Sequence, residues 1–416
     1  MRVITDFHLH SKYSRACSKD LTIPNIAQAC ERKGIQFVGT SDFTHPAWRA
    51  EIGKELAEDA GGAFRLKNGD SPTRFLLSTE LSCIYKRGGK VRRVHHCILM
   101  SSLDGVDRLI SSLQARGFNL KADGRPILGI DSEDLLKMVL DADPLGMLIP
   151  AHAWTPWFAV FGSQSGFDTL EECFGEMAKY IPAIETGLSS DPKMNWRLTD
   201  LDNVFLVSNS DAHSLDKLGR EANVFEMPVP TYVELHRILT EKDKDKFLET
   251  IEFFPEEGKY HTDGHRSCKF SCSPKETKRL NGLCPVCGKP LTVGVLHRID
   301  DLADRDEGEV STLAVPYRSI VPLDELVGSV LDVGPSSKKV KKEIGRLVAD
   351  GRSEFAVLLD VPEKELMRVT TPEITEAILH MRNGEMDIEP GYDGEYGVIR
   401  PKLPKNKPTK QQAILF

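Results

Sequence analysis

Histidines and carboxylates recur at equivalent places in the first half of this 416-residue chain, and their types can bind metal. His8 and His10 end the apolar run 3–9, Asp42 and His45 follow 37–40, and Glu80 follows 75–78. His95 and His96 lie inside 94–100, His152 follows 147–150, and Asp211 and His213 follow 204–208. The period of two along a strand puts His8 and His10 on one face and lets only one of His95 and His96 face the same site. In α/β architectures ligands converge beyond the carboxyl ends of the strands, where most of these groups stand. Imidazole mixed with carboxylate suits zinc, manganese or iron rather than a soft metal, and this many donors could hold two or three catalytic divalent ions, zinc, manganese or magnesium. Glu80 and Asp211 can bridge or orient neighbouring cations and are the candidate catalytic groups. Cations about 4 Å apart acidify water and steady both oxygens of a phosphoryl displacement, so phosphoester hydrolysis is the expected chemistry.

A second donor set is all cysteine. Cys268 and Cys272 enclose three residues, Cys284 and Cys287 enclose two, and eleven separate the pairs. This spacing predicts one structural zinc held by four thiolates, stabilising a segment too small for its own core. Cys17, Cys30, Cys83, Cys97 and Cys173 lack such spacing and are expected to be buried as small apolar residues. Lys269, Lys275, Lys278, Arg279 and Lys289 flank the cluster, as a nucleic-acid contact would require.

The positioning elements follow from periodicity. As far as about residue 224, short apolar runs alternate with amphipathic stretches that open near Thr22 and Pro24 and at Asp131-Ser132-Glu133. That alternation predicts an α/β fold, a parallel sheet wrapped by helices and either open or closed into a barrel. The expected organisation is a catalytic domain over 1–225, a helical connector over 226–258, the four-cysteine module over 259–299, a helical DNA-contacting region over 300–400 and a flexible basic tail over 401–416. Net charge is −8, yet 258–299 carries eight Lys/Arg against two acids, 334–352 six against two, and the last seventeen residues five against none. Basic surfaces on an acidic body fit a polyanion gripped locally. No apolar run reaches 18 residues, so no membrane partner is expected, and a reducing, cytoplasmic, nucleoid-associated setting is.

The motifs carry a family likeness. Asp6-Phe7-His8-Leu9-His10, Thr40-Ser41-Asp42-Phe43-Thr44-His45, Thr79-Glu80-Leu81, Pro150-Ala151-His152 and Asn209-Ser210-Asp211-Ala212-His213 resemble the ordered motifs of the PHP (polymerase and histidinol phosphatase) superfamily. The resemblance implies a distorted seven-stranded β/α barrel with a trinuclear metal site. Two departures stand out: Phe43 occupies the usual histidine position, with His45 as its substitute, and Arg15 stands near a common acidic position. Together with the cysteine module, the aromatic segment 152–162 and the stretch 185–192, the chain resembles the endonuclease Q family of DNA-repair nucleases. That resemblance implies metal-dependent hydrolysis 5′ of a deaminated base (uracil, hypoxanthine or xanthine) or an abasic site in damaged DNA, leaving 3′-hydroxyl and 5′-phosphate. A PHP-type phosphatase of a small phosphomonoester is the alternative, although it leaves the zinc module and basic stretches without purpose.

Three further segments bear on DNA. Trp154, Trp157, Phe158 and Phe161 adjoin His152 and are candidates to wedge a duplex or stack an extruded base, since flipping exposes an otherwise hidden base edge. Lys338 and Lys339 open a helix whose start could meet phosphates. Gln412, Leu415 and Phe416 resemble short peptides that bind a DNA sliding clamp.

Overall fold

The computed structural model describes residues 1–402. Its strands are β1 (Arg2–Asp6), β2 (Phe37–Gly39), β3 (Leu56–Glu58), β4 (Phe64–Leu66), β5 (Arg74–Arg87), β6 (Lys90–Met100), β7 (Ile127–Leu128), β8 (Met147–Pro150), β9 (Ala183–Glu185), β10 (Phe205–Val207), β11 (Ala222–Glu226), β12 (Phe247–Glu252), β13 (Asp263–His265), β14 (Phe270–Cys272), β15 (Tyr317–Ser319), β16 (Met386–Glu389) and β17 (Val398–Pro401). Eleven of them form one sheet along the path β15-β12-β11-β1-β2-β5-β4-β3, with β6 linking β5 to β8 and β7 added to β5.

The α/β class is as expected, but the sheet is mixed and does not close into a barrel. The β1–β2 and β2–β5 pairs are parallel, whereas β1–β11, β11–β12, β5–β6 and β6–β8 are antiparallel. The β9–β10 pair stands as a separate parallel sheet. The departure begins at Gly88-Gly89, whose φ of 61° and 74° suits a two-residue hairpin. Such a turn joins antiparallel strands directly, where a parallel pair needs a long crossover.

The helix starts match their signals. Thr22 precedes the helix Ile23–Lys33 with Pro24 in its first turn, and Asp131 accepts from the Glu133 amide at 2.9 Å to open Ser132–Ala142. Phe7, Phe37, Leu76, Leu99, Ile149, Phe205, Phe225 and Phe247 pack into one buried core beneath the ends of the strands. Cys30, Cys83, Cys97 and Cys173 are buried free thiols as expected, while Cys17 is half-buried.

The connector is only partly helical. The helix Tyr232–Thr240 ends before Phe247–Glu252, which runs as β12 because Phe247 and Ile251 both bury against the sheet. Two compact units result, 1–320 with 389–398, and 321–388 with 399–402; residues 300–320 therefore belong with the sheet rather than with the C-terminal helices. The cysteine module also belongs to the first unit, where Arg298 donates to the Phe161 and Phe167 carbonyls at 3.0 Å and to Asp168 at 2.6 Å. The second unit packs Leu323–Leu331, Lys338–Leu347, Glu354–Leu359, Glu363–Val369 and Pro372–Arg382 around Leu326, Val340, Leu347, Leu366 and Ile378.

Candidate metal centre

The carboxyl ends of β1 and β8, Glu80 in the middle of β5 and His95 in β6 meet the loop after β10. Asp42, His152 and Asp211 all turn there through the left-handed region, with φ of 39°, 29° and 45°. Aspartate and histidine tolerate that conformation better than most side chains, and its recurrence at three loop starts marks a strained, chemically committed site.

Two donor sets share Glu80. His8, His10, Glu80 and Asp211 offer ligand atoms within 4.8 Å of one another, as do Glu80, His95 and His152. Glu80 Oε2 lies 3.2 Å from His10 Nε2 and 3.6 Å from His8 Nε2. Its other oxygen, Oε1, lies 2.7 Å from His95 Nδ1 and 3.2 Å from His152 Nε2. Asp211 Oδ1 completes the first set at 3.0 Å from His10 Nε2 and 3.7 Å from His8 Nε2. Cations fit this arrangement: His8 Nε2 is buried without a hydrogen-bond partner, and such a nitrogen is costly unless something positive meets it.

Electrostatics agree. Burial opposes charge on Glu80, yet His95, Arg125 and His8 together hold its carboxyl well below the usual range. Asp211 is likewise held ionised against burial by His10 and His8. Burial pushes His95 down to about 4, leaving a neutral imidazole. Against burial, the neighbouring Cys97, Glu185 and Glu80 raise His8, and the neighbouring Asp211, Asp42 and Glu80 raise His10; a bound cation would displace those protons.

Several predicted ligands have other roles. Asp42 Oδ1 lies 3.3 Å from His10 Nδ1, while Oδ2 accepts from the Ser11 amide, Ser11 Oγ and Ser14 Oγ at 2.7, 2.6 and 2.7 Å. A Cβ on Gly124 would fall 2.3 Å from that oxygen, so the loop over it leaves no room for an ion. Asp42 thus fixes the His10 tautomer from behind, as outer-shell carboxylates do. His96 faces away and meets Ser132 Oγ at 2.8 Å, which makes His95 the member of the pair that reaches the site. His45 stacks on Tyr13 with ring centroids 4.4 Å apart, outside both donor sets. His213 also stays outside them, at the rim, with Nδ1 2.9 Å from the Asp211 carbonyl.

Two site residues escaped sequence reasoning. Glu185, at the end of β9, holds His8 Nδ1 at 3.0 Å and accepts the His152 amide at 2.7 Å; its place at a strand end was the available signal. Arg125 donates to Glu80 Oε2 at 3.0 Å from the loop before β7, and no local pattern announces it.

The cysteine module forms its cluster with a different fourth member. His265, Cys268, Cys284 and Cys287 lie within 4.8 Å of one another. Cys272 instead contacts Thr277 Oγ1 at 3.2 Å. The β13–β14 ladder pairs Cys272 with Asp263 and His265 with Phe270, leaving Cys272 about 7 Å along the strand from the turn. Both knuckles then enclose two residues, and each is followed by a left-handed residue, Lys269 at φ 50° and Gly288 at φ 71°.

The aromatic segment divides. Trp154 is only 1% exposed, donates to Asn195 at 2.7 Å and packs on Phe161, so both are core residues. Trp157 is 49% exposed, and Phe158 lies 4.7 Å from the His95 ring. Lys338 and Lys339 are exposed at the start of their helix, which Ser337 caps. Gln412, Leu415 and Phe416 lie outside the described residues.

Known proteins fit the same outline. Residues 322–385 match the family model described as the MJ0043 C-terminal domain. The uncharacterized protein YqxK of Bacillus subtilis is 30% identical over 415 residues, covering 96% of this chain and all of that protein. The crystal structure of the lesion-specific endonuclease PfuEndoQ from Pyrococcus furiosus is 32% identical with a TM-score of 0.85, covering 96% of this chain and 95% of that one. A structure of endonuclease Q with a 27-mer duplex substrate bearing an abasic lesion at the active site is 32% identical with a TM-score of 0.83, covering 98% and 99%. With identity and architecture shared from end to end, the chain belongs to the endonuclease Q family.

Proposed function

We propose that this chain is a metal-dependent DNA-repair endonuclease that hydrolyses the phosphodiester on the 5′ side of a deaminated base or an abasic site, leaving 3′-hydroxyl and 5′-phosphate. The observation that carries this reading is Glu80, a buried carboxylate that turns one oxygen to each of two imidazole-rich donor sets. Divalent cations held there by His8, His10, Glu80 and Asp211, and by Glu80, His95 and His152, would supply charge neutralisation and an acidified water for phosphoryl chemistry.

The protein's own groups prepare that chemistry. Asp42 and Glu185 lie against Nδ1 of His10 and His8, leaving Nε2 of each ring directed at the centre. The Arg125 guanidinium, beside Glu80, offers further donors to a phosphate arriving at the rim. Phe158 stands beside His95 and the next residue back, Trp157, is exposed, where an unstacked base would find an aromatic surface worth about 1–3 kcal/mol. The endonuclease Q duplex with an abasic lesion supports the substrate class. Lys338 and Lys339 are proposed backbone contacts, and Gln412, Leu415 and Phe416 a clamp-binding peptide, on the sequence pattern.

End-labelled duplexes carrying uracil, hypoxanthine, xanthine or an abasic site, incubated with Mn²⁺, Mg²⁺ or Zn²⁺, test the reading. A single cut 5′ of the lesion, lost in Glu80→Gln, is expected. Turnover of a small phosphomonoester with no cleavage of any lesion duplex would overturn it.

A further inference from the structure

The β5–β6 hairpin runs from the metal centre to the Gly88-Gly89 turn, and its two faces treat their basic residues differently. The register pairs Ser82 with His95, Ile84 with Arg93, and Lys86 with Val91. Alternation along each strand therefore places Glu80, Ser82, Ile84 and Lys86 on the same face as His95, Arg93 and Val91. The 2.7 Å contact between Glu80 and His95 confirms the facing. β7 pairs Ile127 with Ser82 on that side, and Ile127 is 65% exposed.

On the opposite face Arg87 and Arg92 are neutralised or stacked, and only Lys90, at the turn, stands exposed. Arg87 pairs with Asp131 at 2.9 Å and Glu133 at 3.3 Å. Arg92 lies on the Phe167 ring at 4.1 Å and donates to the Gly166 carbonyl. Tyr85 donates to Ser132 at 2.9 Å, anchoring the ribbon to the body. On the ligand-bearing face, Lys86 and Arg93 have no acidic partner among the described residues. Unneutralised cations beside exposed apolar side chains, continuous with Glu80 and His95, are what a nucleic-acid backbone requires.

Building on the endonuclease reading, we propose that this face of the β5–β6 ribbon is a track for the duplex flanking the lesion. Lys86 and Arg93 each take a backbone phosphate, and Ile127 and Val91 line the floor between them. At about 3.3 Å per residue, Arg93 and Lys86 stand about 13 and 20 Å from the level of Glu80. Those spans are four and six base-pair rises of about 3.4 Å. The track thereby sets a minimum length of intact duplex on one side of the damage.

The test is the salt dependence of binding by the full chain, with an abasic duplex carrying a phosphorothioate at the scissile linkage. Each phosphate contact contributes about 0.9 to the slope of log K against log salt. The double variant Lys86→Ala/Arg93→Ala should lose about 1.8 from that slope. Between 50 and 200 mM salt, wild type should then lose about 12-fold more affinity than the variant. Lys90→Ala, a like change on the opposite face, should keep the wild-type slope. Shortening one duplex arm to three base pairs should erase the difference between wild type and double variant, while shortening the other should preserve it; this readout is independent of any change in folding. A double variant with the wild-type slope, or equal slope loss in Lys90→Ala, would overturn the track while wild-type cleavage of lesion DNA left the endonuclease reading standing. Wild type that neither bound nor cut lesion duplexes would remove both.

Discussion

Replacing His265 should release the structural zinc, whereas replacing Cys272 should not. In a tetrahedral site with Zn–S near 2.3 Å and Zn–N near 2.0–2.1 Å, a nitrogen and a sulfur ligand stand about 3.6 Å apart. The His265 Nδ1 to Cys287 Sγ separation is 3.4 Å, already close to that edge. Structural zinc binding in small domains is worth roughly 10–16 kcal/mol. Shared over four ligands, losing one costs about 3–4 kcal/mol, so His265→Ala should bind zinc two to three orders of magnitude more weakly. Cys272→Ala removes only a contact with Thr277, and should retain full zinc with a stability change of about 1 kcal/mol or less. Chelator competition followed by a colorimetric zinc assay, run on the full chain, separates the two. Zinc loss in Cys272→Ala with retention in His265→Ala would refute the assignment and restore the four-thiolate site.

Three other outcomes follow from the geometry. Asp42→Ala should weaken catalytic-metal affinity about 10–100-fold in a Mn²⁺ titration; a loss as complete as that of His10→Ala would make Asp42 a ligand. Arg125→Met should lower single-turnover cleavage about 100-fold at unchanged metal content, and an undiminished rate would remove its guanidinium from the reaction. Burial pushes Glu252 up from 4.5 to about 7, so between those values the folded chain keeps a proton that the unfolded chain releases. Stability should therefore fall as pH rises through that window, by about 3 kcal/mol from this group. Urea melts from pH 5 to 8 should show a steeper fall in wild type than in Glu252→Gln, which keeps the contributions of the other raised carboxyls, Asp6 and Glu221; an equal fall in both would refute it.

Most of the donor set could be read from sequence because strand ends and residue chemistry are local properties. His8, His10, Glu80, His152 and Asp211 were found that way, and the structure brings them together. Sheet topology was less legible. The run 75–78 looked like a short buried strand, but β5 extends to Arg87 and turns back at once. Its outer half carries charge, which hides a strand from a search for apolar runs, and only Gly88-Gly89 marks the reversal. β12 was obscured for a related reason, since the charged turn before it continued the look of the preceding helix. At the zinc knuckle cysteine is the more conspicuous ligand, so spacing points to Cys272 where the structure gathers His265. His265-x-x-Cys268 has the same two-residue gap as Cys284-x-x-Cys287, and that symmetry was the better guide.

The harder distinction lies between carboxylates of identical chemistry. Asp42 and Asp211 both follow a β-strand, both adopt left-handed φ, and both lie within hydrogen-bond reach of His10. What separates their roles is which ring nitrogen each one meets. Asp42 approaches Nδ1, with its second oxygen already engaged by Ser11 and Ser14, while Asp211 approaches Nε2 alongside Glu80. A carboxylate saturated by hydroxyl and amide donors has no lone pair left for a cation, whereas one facing only imidazoles and another carboxylate does. Residue type in a sequence therefore identifies the members of such a centre. The assignment of ligand and orienter depends on the surrounding donors, which come here from the segment 11–14, and on the distant loop at Gly124 that closes over the carboxylate. The same logic applies to Glu185 and Glu80: the first is filled by His8, the His152 amide and Asn209, and the second leaves one oxygen open to each donor set.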